Sequence, residues 1–297
     1  MTMTTSVEED PAVNALVEQP IVPPLRKRRS VVVRVCCAWL GTIIVLAICA
    51  NFLPIADYAV PVGPSRMGPQ WGSLDLLLGT DSFGRSILSR CVYGARVSLV
   101  VGGVAGIAGL LIGTALGMVA GFFGRRSEWI ISLLADAMLA FPPLILLLAL
   151  ASILTPSVTT ILIGLTLVTI PTFIRLARAT TISWASREFV RAAKNLGAGN
   201  ARILLKEILP NIVPSLGAFF PIVIAALIVA EGSLSFLGLG IPPPQPSWGG
   251  MISDGKASIA TAPHLVFVPA VVIFLTVFSL NQIGDQLRLR FDRTMQD

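Results

Sequence analysis

The sequence predicts an all-α integral membrane protein with six transmembrane helices. Of its 297 residues, 54% are hydrophobic and only 13% are charged, and the mean hydropathy is +0.81. Soluble domains carry roughly 25% charged residues. A second observation is the presence of six apolar stretches long enough to cross a bilayer core of about 30 Å as helices. The third is where Lys and Arg lie between these stretches.

The six apolar stretches define the predicted spans and divide the rest of the chain. In chain order the spans are 35–53, 97–123, 129–154, 157–174, 212–230 and 265–283. Around them we predict an N-terminal tail, 1–34, and an external segment with an amphipathic helix, 54–94. We also predict a core of five spans, 95–284, with a cytoplasmic loop at 183–210, and a C-terminal tail, 285–297.

Basic residues are distributed unevenly between the two sides of this arrangement. If the N-terminus is cytoplasmic, 17 of the 22 Lys and Arg lie inside and five lie outside. Membrane proteins retain Lys and Arg on the cytoplasmic side. We therefore predict cytoplasmic termini, and we explain the net charge of +6 by topology instead of by binding to nucleic acid.

The second predicted span contains glycines at every fourth position. Such a register leaves a groove on one helix face, where another backbone can approach closely. Glycine is also common in membrane helices generally, but four in register favour a tight helix–helix contact. The residues are Gly109, Gly113, Gly117 and Gly121.

Little in the sequence indicates catalysis, nucleotide binding or metal binding. The stretch GMISDGKA, 250–257, nearly matches a phosphate-binding loop, but Ala257 replaces the hydroxyl residue that would coordinate magnesium. His264 is the only histidine, and no Cys, Asp or Glu lies near it at ligand spacing. We predict a non-catalytic chain that binds no metal and no nucleotide.

Two acidic residues lie within or at the end of predicted spans. Asp136 is inside the third span, where a carboxylate costs roughly 2.5–3.5 kcal/mol and so faces protein or water. Glu231 is at the outer end of the fifth span. Each is a candidate pathway or gate residue, with a buried structural hydrogen bond as the alternative.

The stretch EFVRAAKNLGAGNARILLKEILP, 188–210, is basic and amphipathic although apolar runs lie on both sides. Glu188 lies in the first turn of a predicted helix, and Gly197 is a left-handed C-cap. Asn200 then caps a second helix, which Pro210 ends. On the first helix, apolar residues recur at helical spacing: Phe189, Ala192 or Ala193, and Leu196.

This helix could rest on anionic lipid or insert into a protein cleft. A lipid-bound helix offers bulky apolar residues, whereas Ala192 and Ala193 are small. The cleft is therefore favoured.

The same stretch resembles the EAA loop of bacterial ABC-importer permeases, the helix that docks into the ATPase subunit. The shared pattern is R-A-A-x3-G-x9-E-I-L-P. It departs from the family at Arg191, where a Glu begins the motif, and at Glu207, which takes an aliphatic position. By resemblance, the residues of this coupling loop are Glu188, Phe189, Arg191, Ala192, Ala193, Gly197, Ala198 and Pro210.

Three further segments resemble dipeptide, oligopeptide and nickel permeases of the "C" subunit type. They are LLGTDSFGRSILSRCVYGARVSL at 77–99, EGSLSFLGLGIPPPQPSWGGMISDG at 231–255 and FLTVFSLNQIGDQLR at 274–288. The resemblance implies the type I ABC importer permease fold in the inner membrane of a bacterial cell. It also implies a homologous permease partner, two ATPase subunits that carry ATP and magnesium, and an external substrate-binding protein.

The resemblance favours peptides as the cargo, with nickel chelates or haem-like compounds as alternatives within the family. A stand-alone secondary transporter or channel is the competing hypothesis. Such proteins usually show inverted repeats or several charged residues within their spans, and neither is apparent here. A membrane-embedded enzyme lacks a catalytic set.

Overall fold

The computed structural model describes residues 26–155 and 157–294, and within them the chain is helical with only isolated β-bridges. Short 3-10 helices cover Ala50–Phe52, Leu74–Leu76 and Lys256–Ser258. The longer helices are α1 (Arg26–Cys49), α2 (Ile87–Phe123), α3 (Arg125–Ala140), α4 (Pro143–Ile153), α5 (Val158–Ala185), α6 (Glu188–Asn195), α7 (Asn200–Phe236), α8 (Trp248–Gly255) and α9 (His264–Thr294).

Five of these helices are long and apolar enough to cross a membrane: α1, α2, α5, α7 and α9. The predicted third span, 129–154, is not one straight helix. It consists of α3 and α4, which are bent by 84° relative to each other, and the count is six if this pair is one span. Pro142 and Pro143 lie at the break and explain it, because proline lacks the N–H that would continue the helix. The predicted all-α membrane fold is confirmed.

Several spans are longer than predicted. Helix α2 begins at Ile87 instead of residue 97, and α5 continues to Ala185. The helix that we expected within 54–94 is the first part of α2, since 54–86 contains only the 3-10 helix Leu74–Leu76. Hydropathy marks the apolar part of a helix, whereas the hydrogen-bonded helix extends beyond it into polar surroundings.

The four in-register glycines of α2 all lie against α5: Gly109, Gly113, Gly117 and Gly121. A Cβ at Gly113 would lie 2.5 Å from Cβ of Phe173, and one at Gly117 would lie 2.6 Å from the carbonyl oxygen of Ile174. Both distances are shorter than any ordinary van der Waals contact. Only glycine allows α2 and α5 to approach this closely.

The main hydrophobic cluster is built around these two helices. Phe173 and Leu165 of α5 and Val101 of α2 are fully buried, and Leu216 and Leu227 of α7 are buried beside them. Helix α1 lies at the edge and packs on α9, where Trp39 Nε1 donates a hydrogen bond to Thr276 Oγ1 at 3.2 Å. The core therefore holds α2, α5 and α7 as one bundle, and α6 lies at one end of it.

The opposite end is covered by the segment 54–86 and by α8. Ser89 Oγ of α2 donates to the carbonyl of Ala56 at 2.6 Å, and the backbone N–H of Ala56 donates to Asp75 Oδ1 at 2.7 Å. Trp248 of α8 is fully buried, and its Nε1 donates to the carbonyl of Cys91 at 2.9 Å. These contacts fix the segment and α8 against the first turns of α2.

Candidate functional site

Helix α6 is a short helix followed by a tight turn. The turn is a Schellman motif: the N–H of Ala198 donates to the carbonyl of Ala193 at 3.0 Å, and that of Gly197 donates to Lys194 at 3.0 Å. Gly197 has a φ of +80°, in the left-handed region. The sequence therefore produces a helix end at this glycine, after which the chain reverses into α7.

One face of α6 anchors it to the bundle. Val190 is fully buried in the main cluster, and Ala193 and Ala198 are half-buried against it. Lys194 Nζ lies 4.9 Å from the ring centroid of Phe122, at the end of α2. This cation–π contact and the burial of Val190 tie α6 to the ends of α2 and α5.

The other face of α6 is apolar and exposed. Phe189 is 40% exposed and Leu196 is 88% exposed, and Ala192 between them is also exposed. The three residues are at i, i+3 and i+7, which places them on one helix face. This exposed face, which we call the docking face, is part of the apolar stripe expected from the sequence. Of that stripe, Ala193 points inward.

Charged residues border the docking face. Glu188 and Arg191 are exposed, and Glu188 lies in the first turn, where a carboxylate is favourable to the helix dipole. The Arg187 guanidinium lies 5.4 Å from the ring of Trp184, which itself is 6.1 Å from the ring of Phe189. The docking face is thus a small apolar patch with a polar rim.

Two predictions about α7 are wrong. Asn200 is not the cap, because Gly199 occupies that position and Asn200 begins the helix. Pro210 does not end the helix, which runs from Asn200 to Phe236.

A π-helical turn, Ile203–Ile208, precedes Pro210 and accommodates it. In this turn the N–H of Leu209 donates to the carbonyl of Leu204, which shifts the hydrogen-bond register before the proline. Asn211 Nδ2 also donates to the carbonyl of Glu207 at 2.6 Å. The Asn211 side chain therefore donates a hydrogen bond to a backbone carbonyl close to the position where Pro210 lacks an N–H.

Asp136 forms an ion pair that the sequence alone did not identify. Arg175 Nη2 of α5 lies 2.7 Å from Asp136 Oδ1 of α3, and both side chains are about 60% exposed. Arg178 Nη2 makes a second ion pair with Glu128 Oε1. Arg175 and Arg178 are spaced i, i+3 and so lie on one helix face. This spacing is the feature of the sequence that could have indicated a basic face opposite Asp136 and Glu128.

Glu231 is buried at the other end of the bundle. It is 1% exposed, and it accepts hydrogen bonds from Ser235 Oγ at 2.7 Å and from Ser98 Oγ of α2 at 3.3 Å. Ser98 Oγ also accepts from the N–H of Trp248 at 3.4 Å. Glu231 thereby joins α7, α2 and the start of α8.

The stretch 250–257 does not form a phosphate-binding loop. Its residues belong to α8 and to the 3-10 helix Lys256–Ser258. Among the described residues, no group of three or more His, Cys, Asp and Glu comes together at metal-binding distance.

Replacing Gly197 by valine is expected to destabilise the turn after α6 by about 1–2 kcal/mol, because an L-residue in the left-handed region is strained. A Cβ at Gly197 would have no atom within 4 Å, so the effect comes from the backbone alone. Limited proteolysis of this turn in the purified protein measures it. Gly199→Thr is the matched control, since Gly199 has a φ of −70° and equally open surroundings. Threonine has the β-branched shape of valine and is tolerated at an N-cap about as well as glycine. Equal cleavage of both variants would contradict the strain argument.

Fold and site together define a class of protein: a multi-pass membrane permease that presents a short anchored helix at one end. The chain belongs to the family of binding-protein-dependent transport system inner membrane components, which matches residues 113–297.

Several curated proteins are similar over most of the chain. The dipeptide transport system permease protein DppC of Alkalihalophilus pseudofirmus is 41% identical over 253 residues, which cover 85% of this chain and 83% of that protein. The glutathione transport system permease protein GsiD of Pectobacterium atrosepticum is 38% identical, covering 72% and 71%. The di/tripeptide transport system permease protein DppC of Pseudomonas aeruginosa is 34% identical, covering 86% of each.

A solved structure supports the fold. An inward-facing conformation of the MetNI methionine ABC transporter superimposes with a TM-score of 0.57 at 18% identity, covering 67% of this chain and 95% of that one. The fold is therefore that of an ABC importer permease, as the resemblance predicted. The chain is a multi-pass inner-membrane protein.

Proposed function

We propose that this chain is the permease subunit of an ATP-driven importer of short peptides. The observation that carries the proposal is the docking face, an exposed apolar patch on a helix that Val190 anchors in the core. A helix held so firmly passes a push from a docked protein directly to α2, α5 and α7. The curated relatives named for dipeptide, di/tripeptide and glutathione transport support peptides as the substrate class.

The partners follow from this role. An ATPase subunit would accept the docking face, and two such subunits would bind ATP and magnesium, which this chain does not bind. A homologous permease would supply the other half of the pathway, and an external binding protein would deliver the peptide. The coupling loop of this chain would be 183–210, with Glu188 and Arg191 at the rim of the docking face and Pro210 within α7.

The Asp136–Arg175 pair supports a place for α3 and α5 along the pathway. Both side chains are about 60% exposed although α5 is a candidate membrane span. Exposed charges are costly in lipid but not in water or against a partner protein. We place this pair on the pathway near the cytoplasmic end. The full burial of Glu231 instead favours a role in holding α2, α7 and α8 together.

Co-purification tests the proposal against a stand-alone transporter or channel. The tagged chain, expressed together with the proposed partner permease and ATPase subunits, should retain two ATPase subunits in detergent. The reconstituted complex should take up a labelled dipeptide only when ATP is supplied. Uptake by this chain without any ATPase would contradict the proposal, and ATP-driven uptake of nickel chelates or haem in place of peptide would correct the substrate class.

Cysteine labelling is expected to show that α6 is cytoplasmic and that the loop before α8 is external. Asn200 and Gln245 are both exposed and lie at opposite ends of the bundle. In a background without the native cysteines, Gln245→Cys should react with a membrane-impermeant maleimide in intact cells. Asn200→Cys should react only after permeabilisation. The reverse pattern would overturn the orientation inferred from the basic residues.

A further inference from the structure

A cavity of about 520 Å³ opens at the end of the bundle opposite α6. Its walls come from four places: residues 83–90 around the start of α2, Ser235 near the end of α7, the loop 238–247, and α8. The side chains that matter below are Phe83, Arg90, Ile241, Pro243 and Asp254. Ligand pockets in proteins have volumes of about 300–1,000 Å³, so this cavity has the size of a small-molecule site.

Arg90 lies in the wall of the cavity with its charge poorly matched. Its side chain is buried, with 4% of the residue exposed. Its nitrogens lie 3.4 Å from Asp81 and 3.4 Å from Asp254, whereas Arg85 Nε takes the same Asp81 carboxylate at 2.7 Å. Charge-assisted hydrogen bonds of this kind normally measure about 2.7–2.9 Å. Arg85 therefore satisfies Asp81, and Arg90 is left with two long contacts.

One buried nitrogen of Arg90, Nη1, has no hydrogen-bond partner among the residues that the structure describes. Leaving a buried charged donor unpaired is more costly than leaving a neutral donor unpaired. Such a group calls for an acceptor from outside the chain. A carboxylate would provide two oxygens for the guanidinium fork.

Asp254 supplies the opposite charge beside Arg90. Its side chain is 53% exposed, and its one ion pair among the described residues is the 3.4 Å contact with Arg90. Partial burial raises the pKa of Asp254, and Arg90 opposes this shift. Part of the remaining wall is apolar, with Phe83, Ile241 and Pro243, and the rest carries polar side chains: Arg85, Ser235, Gln245, Ser247 and Ser253. The cavity thus combines an anion-seeking group, a cation-seeking group and an apolar surface.

We propose that this cavity binds a short peptide by its two charged ends, with the carboxylate on Arg90 and the ammonium group on Asp254. The apolar part of the wall would accept the side chains without selecting among them. This inference rests on the proposed function, which makes this end of the molecule external. There the peptide would meet the cavity after release from the binding protein and before passage.

The test is direct binding of alanyl-alanine to the complete transporter in lipid nanodiscs, without the external protein. Equilibrium dialysis with radiolabelled peptide should show saturable binding. Arg90→Lys and Asp254→Asn should each weaken it about tenfold or more, because each removes a hydrogen bond to a charged group. The C-terminal amide of alanyl-alanine should bind the wild type as weakly as the free peptide binds Arg90→Lys.

Arg90→Lys should weaken binding of the amide only slightly. The amide lacks the carboxylate and the variant lacks the guanidinium, and these two groups form one contact, so their losses do not add. Lys256→Gln is the matched control. It removes a positive charge near the cavity, but Lys256 contacts the ring and carbonyl of Phe236. It should leave binding unchanged.

Three results would overturn the inference: no saturable binding to the wild type, equal affinity for peptide and amide, or equal loss in Lys256→Gln. If a water molecule instead of a peptide carboxylate satisfies Nη1 of Arg90, the wild type will show no saturable binding. If Arg90→Lys fails to fold, the amide and the half-exposed Asp254→Asn decide alone. Co-purified ATPases and ATP-driven uptake, measured on the same preparation, show whether the proposed function stands when this inference fails.

Discussion

Gly117→Leu is expected to abolish folded protein, and Gly113→Leu should do the same. A Cβ at Gly117 would lie 2.6 Å from the carbonyl oxygen of Ile174 and 2.7 Å from Cβ of Ala177. The obstacle at Ile174 is the backbone of α5, which no side-chain rotation can relieve. Overpacking in well-ordered cores costs about 1–3 kcal/mol, and separating two whole helices should exceed this range. Monodisperse yield after size-exclusion chromatography measures the loss.

Gly103→Leu is the control on the same helix. A Cβ at Gly103 has no atom of the described residues within 4 Å, so an added leucine does not push another helix of this chain away. Its yield and its transport should match the wild type. Normal yield of Gly117→Leu would mean that α2 and α5 can separate at no cost, and the close helix contact would then not be what holds the core.

The glycine register illustrates how far the sequence could predict the core. Four glycines at every fourth position indicate a close approach on one face of α2, and that much could be predicted. Which helix approaches could not be, because any span can fill such a groove. The structure places α5 there. The contact depends on the packing of the whole bundle, and no local pattern carries that information.

The third span and Pro210 show a different limit. A hydropathy average over a window of residues contains no information about bends in the chain. Helices α3 and α4 therefore appear as one apolar stretch, although they are bent by 84° relative to each other. The lack of a proline N–H accounts for the break at Pro142, which was not predicted, whereas the helix end predicted at Pro210 is wrong because the π-helical turn Ile203–Ile208 shifts the hydrogen bonds. The expectation that a proline ends a helix fails where the neighbouring residues change the hydrogen-bond register of the helix.

Helix α6 shows why the candidate site could be predicted only in part. The periodicity identified an apolar stripe, but Val190, which anchors the helix, was not in it. Periodicity finds residues that avoid water, and it does not separate those covered by this chain from those left for a partner. The ion pair of Asp136 with Arg175 and the long contact of Arg90 with Asp254 join segments that are distant in the sequence. They required the fold.

Ala192→Trp is expected to remove ATPase co-purification and ATP-driven uptake while leaving the permease folded. Ala192 is exposed between Phe189 and Leu196, so a tryptophan there projects from the docking face and overfills any cleft that accepts it. Ala193 is a poorer site for the test, because it is half-buried against the core and a tryptophan there would disturb packing. A loss of at least tenfold in retained ATPase corresponds to about 1.4 kcal/mol.

The same substitution distinguishes docking on a protein from binding to a lipid surface. At a membrane surface a tryptophan strengthens interfacial binding, so the lipid alternative predicts full ATPase recruitment and normal uptake in Ala192→Trp. Ala59→Trp is the matched control, since Ala59 is exposed at the opposite end of the bundle. It should retain the ATPases, which separates a local effect of the docking face from a general effect of an added tryptophan. Recruitment by Ala192→Trp equal to that by Ala59→Trp would show that α6 does not dock into the ATPase.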